Sequence, residues 1–557
     1  MTRAGINGGR RPRTTRAAAA VAAGLALTLA ACSGGGGDGG DATEEQRTGA
    51  MEGYAAGDQF TASEPLELSI LWTDWPEVTV KDEWQFFDLL KEQTNVTLET
   101  THIPLSDHLE KRSLLISAGD APDIIPLVYT GEEEQFAASG AVVPLSKYLD
   151  EMPHFQKYVE EWDLQEMVDN LRQEDGELYM LPGFQEVSVP MFTLLVRKDK
   201  FDELGIEMPD TWEDFREAFV KLKEAYPDSY PLQDGFQGNS LLNYAARGFG
   251  TQAGWGFGDG MQWDEEKGEF EYAATSEEYK EMVEYFHGLV QDGLFDPDSF
   301  TVQDQEAVER VERLISEGKA FAGSGASGTA IEWGQALDAT VGPGNHEVVQ
   351  IPPPAGPAGA LVEPRNFWHG FMITKDAESK PYFTALLQFL DWMYYSPEAR
   401  DMLRWGVEGE TYTKSGDEYT LDAEHRLDTF NLNPGAPTDI QKDLGFSTFL
   451  AEATESRALK ESYSTDQAVE YIDAVLSTRT PTDPLPPAPL SEADLEQASL
   501  LGTPLKDSVD TATLRFILGE RPLSEWDAFV AELESKGLQQ YVDLYNGARE
   551  RFAESNG

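Results

Sequence analysis

The side chains of this chain that are free to do chemistry lie outside its regular elements. Trp75 follows an alternating apolar run. Trp255 sits inside Gly250-Thr251-Gln252-Ala253-Gly254-Trp255-Gly256-Phe257-Gly258, and Trp368 follows Arg365-Asn366-Phe367. A loop tryptophan offers a flat apolar face that no core has claimed, so these three read as ligand contacts. Trp84, Trp212, Trp392 and Trp526 fall on apolar helical stripes and read as packing. Trp72 ends a strand and is divided evenly between core and site. Asp74, Tyr129, Arg365 and Glu408 are the polar companions, although an arginine or glutamate at such a position also serves as a structural ion pair.

Other chemistries are harder to place. With 100 acidic residues in 557, some carboxylate pair always falls at a hydrolytic separation, so acid–base catalysis cannot be read from composition. Gly323-Ser324-Gly325-Ala326-Ser327-Gly328 fits the G-x-G-x-x-G spelling of a dinucleotide loop. It lies far into the chain rather than in an opening βαβ unit, and reads instead as a loop and helix start whose free N–H groups meet ligand oxygens. The seven histidines are scattered without an H-E-x-x-H arrangement. No cofactor and no metal is expected.

The single cysteine, Cys32, closes Leu29-Ala30-Ala31-Cys32. Upstream stand Arg3, Arg10, Arg11, Arg13 and Arg16 with no acidic residue, then small and apolar residues from 17 to 31. A basic start and a short apolar run describe an export signal over 1–31, too short to span a bilayer. Residues 32–62 read as a flexible tether. The formal charge of −58 repels phosphate backbones, so no nucleic acid is expected as partner.

The loops must be carried by a scaffold. Leu66, Leu68, Ile70 and Trp72 alternate as in a strand, and Val96-Thr97-Leu98 and residues 123–128 give two more, with helices between. Such alternation implies an α/β architecture on parallel sheets, whose ligands sit beyond the carboxyl ends of the strands. Those ends carry Thr73-Asp74-Trp75 and Tyr129-Thr130. Thr211 with Asp214 opens a helix whose stripe is Trp212, Phe215, Phe219 and Leu222. The order of elements suggests two α/β lobes, with 191–197 and 368–373 as crossings. The first lobe is expected over 63–192 and 368–430, the second over 193–367 and 431–557.

Several separated segments resemble the extracellular solute-binding lipoproteins of bacterial ABC importers, in the carbohydrate and oligosaccharide branch. They are Ser117-Ala118-Gly119-Asp120-Ala121-Pro122-Asp123-Ile124, Asp175-Gly176-Glu177-Leu178-Tyr179-Met180-Leu181-Pro182, Leu195 through Trp212, Gly406-Val407-Glu408-Gly409-Glu410-Thr411-Tyr412, and the tail from Ile517 to Tyr545. The resemblance covers nearly all of 65–552. It implies a two-lobed, periplasmic-binding-protein-like fold of type II, with a hinge and an interlobe cleft. It also implies Cys32 as a lipidation site, a lipid anchor on the extracellular face of the cell membrane, permease subunits as partners, a monomer, and no catalysed reaction.

Some members carry an Asp- and Asn-rich calcium loop after the helix opened by Thr211. Here that stretch reads Tyr226-Pro227-Asp228-Ser229-Tyr230-Pro231 and lacks the ligand spacing. A carbohydrate ligand suits the candidate residues, since sugar C–H faces stack on aromatic rings while carboxylates and arginines meet the hydroxyls. Two alternatives stay open: a secreted glycoside hydrolase, and a binding protein of the same fold for peptide or another solute.

Overall fold

The computed structural model describes residues 43–556; the expected export signal and Cys32 lie outside the described residues. The strands of the two main sheets are β1 (Leu66–Asp74), β2 (Val96–Pro104), β3 (Ile124–Val128), β4 (Leu181–Phe184), β5 (Thr193–Arg197), β6 (Leu232–Gln233), β7 (Ala322–Gly325), β8 (Val348–Gln350) and β9 (Phe367–Ile373). The first sheet has the order β2-β1-β3-β9-β4, the second β8-β5-β7-β6.

The sheets are mixed rather than parallel throughout. β1 runs parallel to β2 and β3, but β9 runs antiparallel to both β3 and β4. In the second sheet β5 runs antiparallel to β7 and β8. The reason lies in the connections. β9 is entered directly from the second lobe, so it starts at the end of the sheet where β1 and β3 finish.

Each sheet carries its own apolar core. Leu68, Ile70, Trp84, Ile124, Phe371, Phe389 and Trp392 belong to the first, and Leu194, Trp212, Phe215, Leu241, Phe286 and Phe516 to the second. Thr211 caps its helix as the sequence predicts, accepting from the Asp214 N–H at 3.1 Å while its hydroxyl donates to the Asp214 carboxylate at 2.8 Å.

Two expected boundaries are corrected. Residues 43–62 are not free tether. Phe60 and Ala62 are buried in the first core, the Tyr54 hydroxyl donates to Asp391 at 3.1 Å, and Thr48 N–H donates to the Pro381 carbonyl. Nor does the second lobe resume at 431, because Ile440, Phe446, Phe449, Leu450, Leu459 and Tyr463 all pack into the first core. This late segment is held by buried arginines. Arg400 donates to the carbonyls of Leu450, Ala451 and Thr454, and Arg404 pairs with Glu455 at 2.8 Å. Charges so placed are tolerable only when paired and hydrogen-bonded.

The chain passes between the cores at residues 185–192, 363–366 and 464–490. Val187 and Val189 of the first passage pack on Tyr471, Ile472 and Val475 of the third. Leu361 and Val362, leading into the second passage, pair in parallel with Thr480 and Pro481 of the third. Arg365 N–H donates to Ser188 Oγ at 2.6 Å, tying second to first. All three passages therefore form one joined hinge.

Candidate functional site

The residues that matter most gather beside this hinge. On the first lobe, the Tyr129 ring stands edge-on to Trp368, 5.2 Å between centroids, and the Arg365 guanidinium lies 3.8 Å over the Trp368 ring. Burial pushes the Arg365 pKa down to about 10 and the Tyr129 hydroxyl up to about 12. Desolvation raises the carboxyl of the neighbouring Glu452, and the Trp368 side chain beside it works in the other direction. Beneath the rings His369 is fully enclosed, 5.9 Å from Tyr129, and burial lowers its pKa to about 3, so the imidazole is neutral.

A second aromatic group stands on the other lobe. Trp255, 49% exposed, is edge-on to Phe192 at 5.3 Å and to Phe236 at 5.2 Å. Phe192 comes straight off the first passage, and Phe236 follows β6. Between elements of both lobes lies a cavity of about 1040 Å3. Its wall includes Thr130 next to Tyr129, Gly256 next to Trp255, and Asn366 and Phe367 between Arg365 and Trp368. Acidic groups line it as well: Glu133, Glu134, Asp259 and Glu265, together with Glu363, which pairs with Arg247 at 2.9 Å. Desolvation pushes Glu134 up to about 8, with repulsion from Glu133 and from Asp259 of the opposite lobe adding to it.

Of the sequence candidates, Tyr129, Arg365 and Trp368 are brought together beside the hinge and Trp255 stands apart with Phe192 and Phe236; the cavity wall is made by their chain neighbours rather than by the four themselves. Trp75 is 40% exposed on the loop after β1. That loop faces the second lobe, because Glu77 contributes to raising Glu332 on the helix Ser327–Thr340, after desolvation and Glu312. Asp74 ties the same loop down, accepting from Val80 N–H at 3.1 Å and lying 3.5 Å from His102.

Trp72 is corrected to a core residue. It is 1% exposed and packed on Trp84, Phe86, Phe87 and Phe449. Glu408 stands apart, exposed on the turn after the helix Pro397–Trp405 and bridged to Tyr412. The glycine motif is strand, turn and helix, and two of its three glycines serve packing, while Gly328 has open space around it. A Cβ on Gly325 would fall 2.6 Å from Leu195, and one on Gly323 would fall 3.0 Å from Trp333. After the helix Trp212–Ala225, Lys223 donates to the Ser229 carbonyl at 2.5 Å and lies over Tyr230, bridging the turn with an ammonium.

Nothing local marks Glu452, which lies in the segment assigned to the wrong lobe. Phe192 was within reach, being one residue inside the first expected crossing.

Two mixed α/β lobes on a joined hinge, with a cavity between their elements, are the architecture of a two-lobed solute-binding protein. The chain belongs to the bacterial extracellular solute-binding protein family, whose sequence profile it matches over residues 73–400. It is 24% identical over 487 residues to the fructooligosaccharide ABC transporter substrate-binding protein FusA of Streptococcus pneumoniae, spanning 82% of this chain and 84% of that one. It is 22% identical over 479 residues to the polygalacturonan/rhamnogalacturonan-binding protein YtcQ of Bacillus subtilis, spanning 82% and 86%. Among solved structures it is similar to the alginate-binding protein AlgQ2 without calcium ion, with a TM-score of 0.67 and 17% identity over 88% of this chain and 99% of that one.

Proposed function

We propose that this protein is the capture component of an ABC importer, taking an oligosaccharide into the interlobe cleft and delivering it to a membrane permease. The observation that carries the reading is the pair of aromatic groups, Tyr129–Trp368 and Trp255–Phe192–Phe236, one on each lobe, whose chain neighbours Thr130, Phe367 and Gly256 line one cavity. Sugar rings present apolar C–H faces and a rim of hydroxyls. Exposed aromatic rings take the faces, while Arg365 and the carboxylates take the rim. A volume of about 1040 Å3 lies at the upper end of small-molecule sites, suiting several sugar units better than one. FusA and YtcQ, named for oligomeric and polymeric sugars, support the assignment. The net charge of −58 favours a neutral chain over a polyuronate, whose carboxylates it would repel. Cys32 supplies a lipid anchor on the extracellular face, and the protein acts as a monomer without catalysing a reaction.

One observation speaks for a hydrolase: Glu134 and Asp259 line the same cavity with raised carboxyl pKa values, and a general acid needs a carboxyl so raised. A single panel separates the readings. Kestose, maltotriose, cellotriose, xylotriose, trigalacturonate and a tripeptide are each tested for a shift in Tm and in tryptophan fluorescence, with products followed by chromatography. The expected result is a saturable upward shift with one neutral trisaccharide, none with trigalacturonate, and no product. Turnover overturns the binding reading, a shift with the tripeptide alone overturns the carbohydrate, and preference for trigalacturonate overturns neutrality.

A further inference from the structure

Leu127, the penultimate residue of β3, has φ of +57°, a left-handed conformation unfavourable for any residue with a side chain. It sits where the pairing of β3 with β9 slips, the register shifting between Gly370 and Phe371. The kink turns the chain two residues before Tyr129, so it sets where Tyr129 points. A strained residue persists only where its surroundings hold it, and here they do so through its carbonyl.

Arg112 Nη1 donates to the Leu127 carbonyl at 3.1 Å. The same nitrogen lies 2.9 Å from Glu132 Oε2, and that oxygen accepts the Tyr129 N–H at 3.0 Å. His108 Nε2 lies 3.3 Å from the Leu127 carbonyl, and its Nδ1 lies 2.8 Å from Thr73 Oγ1. Burial first, then Arg112, lowers the His108 pKa and keeps the ring neutral. With Nε2–H donating to Leu127 and the Thr73 hydroxyl donating to Nδ1, both of these contacts are satisfied, while Arg112 Nη1, 3.3 Å from Nε2 and itself a donor, gives its protons to the Leu127 carbonyl and to Glu132.

The result is a polar chain beneath the site, Thr73–His108–Leu127–Arg112–Glu132–Tyr129. It links the ends of β1 and β3, from which the loops bearing Trp75 and Tyr129 depart. The strands do not need it for pairing, since β1 and β3 are already joined at Ile70 and Ile124. Its guanidinium is 2% exposed, an expensive placement for a charge that held only the sheet together.

We infer that Arg112 and Glu132 are positioning residues for the ligand site, fixing the kink at Leu127 and with it the direction in which Tyr129 presents its ring beside Trp368. The inference rests on the reading that Tyr129 and Trp368 face the ligand. It predicts that the effect of Glu132 on affinity passes entirely through Tyr129.

The test is a double-mutant cycle on Glu132→Ala and Tyr129→Ala. Affinity is measured by calorimetry for the panel saccharide giving the largest shift in Tm, and amide exchange of residues 127–131 is followed by mass spectrometry without ligand. Glu132→Ala is expected to weaken binding about tenfold, to speed exchange in that segment, and to add no further loss in the Tyr129→Ala background. Glu132→Gln, which keeps an oxygen for the Tyr129 N–H, is expected to recover most of the affinity and provides a milder variant if the alanine form folds poorly. An equal loss in both backgrounds, or unchanged exchange at 127–131, overturns the inference while leaving the site intact. Tyr129→Ala binding as tightly as the unaltered protein removes the site reading and this inference with it.

Discussion

Trp72 and Trp75 lie three residues apart and should answer to different measurements. The Trp72 ring is 1% exposed among Trp84, Phe86, Phe87 and Phe449, the last 5.1 Å away. A buried tryptophan removes on the order of 200 Å2 of apolar surface from water, worth about 5 kcal/mol at 25 cal/mol per Å2. Trp72→Ala should therefore cost about 3–5 kcal/mol, the cavity relaxing only in part. Trp75 is 40% exposed, and its replacement should cost stability no more than about 1 kcal/mol. As a ligand face it should instead weaken binding about tenfold or more.

Urea unfolding followed by circular dichroism gives the stabilities, with an unchanged slope as the check that the transition is comparable. Titration of the folded variants with the panel saccharide gives the affinities. Trp72→Phe, which fills most of the space, should bind nearly as the unaltered protein does. The reasoning fails if Trp72→Ala keeps its midpoint but loses the ligand, or if Trp75→Ala unfolds while its folded fraction binds normally.

Two buried carboxylates predict opposite pH behaviour. Glu455, held by Lys460, Arg404 and Tyr463, titrates at about 2; its contribution is present above the ordinary glutamate range and fades as pH falls toward 2. Glu455→Gln should thus lower Tm at pH 7, and the deficit should shrink in acid. Glu133 is buried and pushed up to about 7 by desolvation. Folding then keeps a proton that the unfolded chain releases, costing as much as about 3 kcal/mol once pH exceeds 7. Glu133→Gln should raise Tm at pH 8 and change little at pH 4, and a parallel response of the two variants would contradict both assignments. Cys32→Ser should move the protein from the membrane to the soluble fraction and impair uptake while leaving solution affinity unchanged. A loss of affinity would contradict a purely anchoring cysteine.

Much of the scaffold was legible because it is written locally. The Thr211–Asp214 cap, the helical stripes and the strand alternation depend on neighbours within one or two turns. The alternation even contained the answer for Trp72, which shares a strand face with the core residues Leu68 and Ile70. What escaped was long-range. Residues 43–62 look like tether in composition, yet Phe60 and Tyr54 find partners more than 300 positions away, at Phe389 and Asp391. The third passage between lobes has no local mark apart from its prolines. The kink at Leu127 depends on Arg112 and Glu132 meeting only after folding, so no spelling of β3 announces it.

The first core joins residues from 60–184 with residues from 371–463, and the second is completed by helices that end near the carboxyl terminus. No lobe can therefore close while the chain is being made. A growing polypeptide carries half of each core with its complement still unmade, and such discontinuous contacts are slow to form. If residues 1–31 act as the expected export signal and the chain crosses a membrane unfolded, that delay serves it, because the signal is made long before either lobe can become too compact to pass.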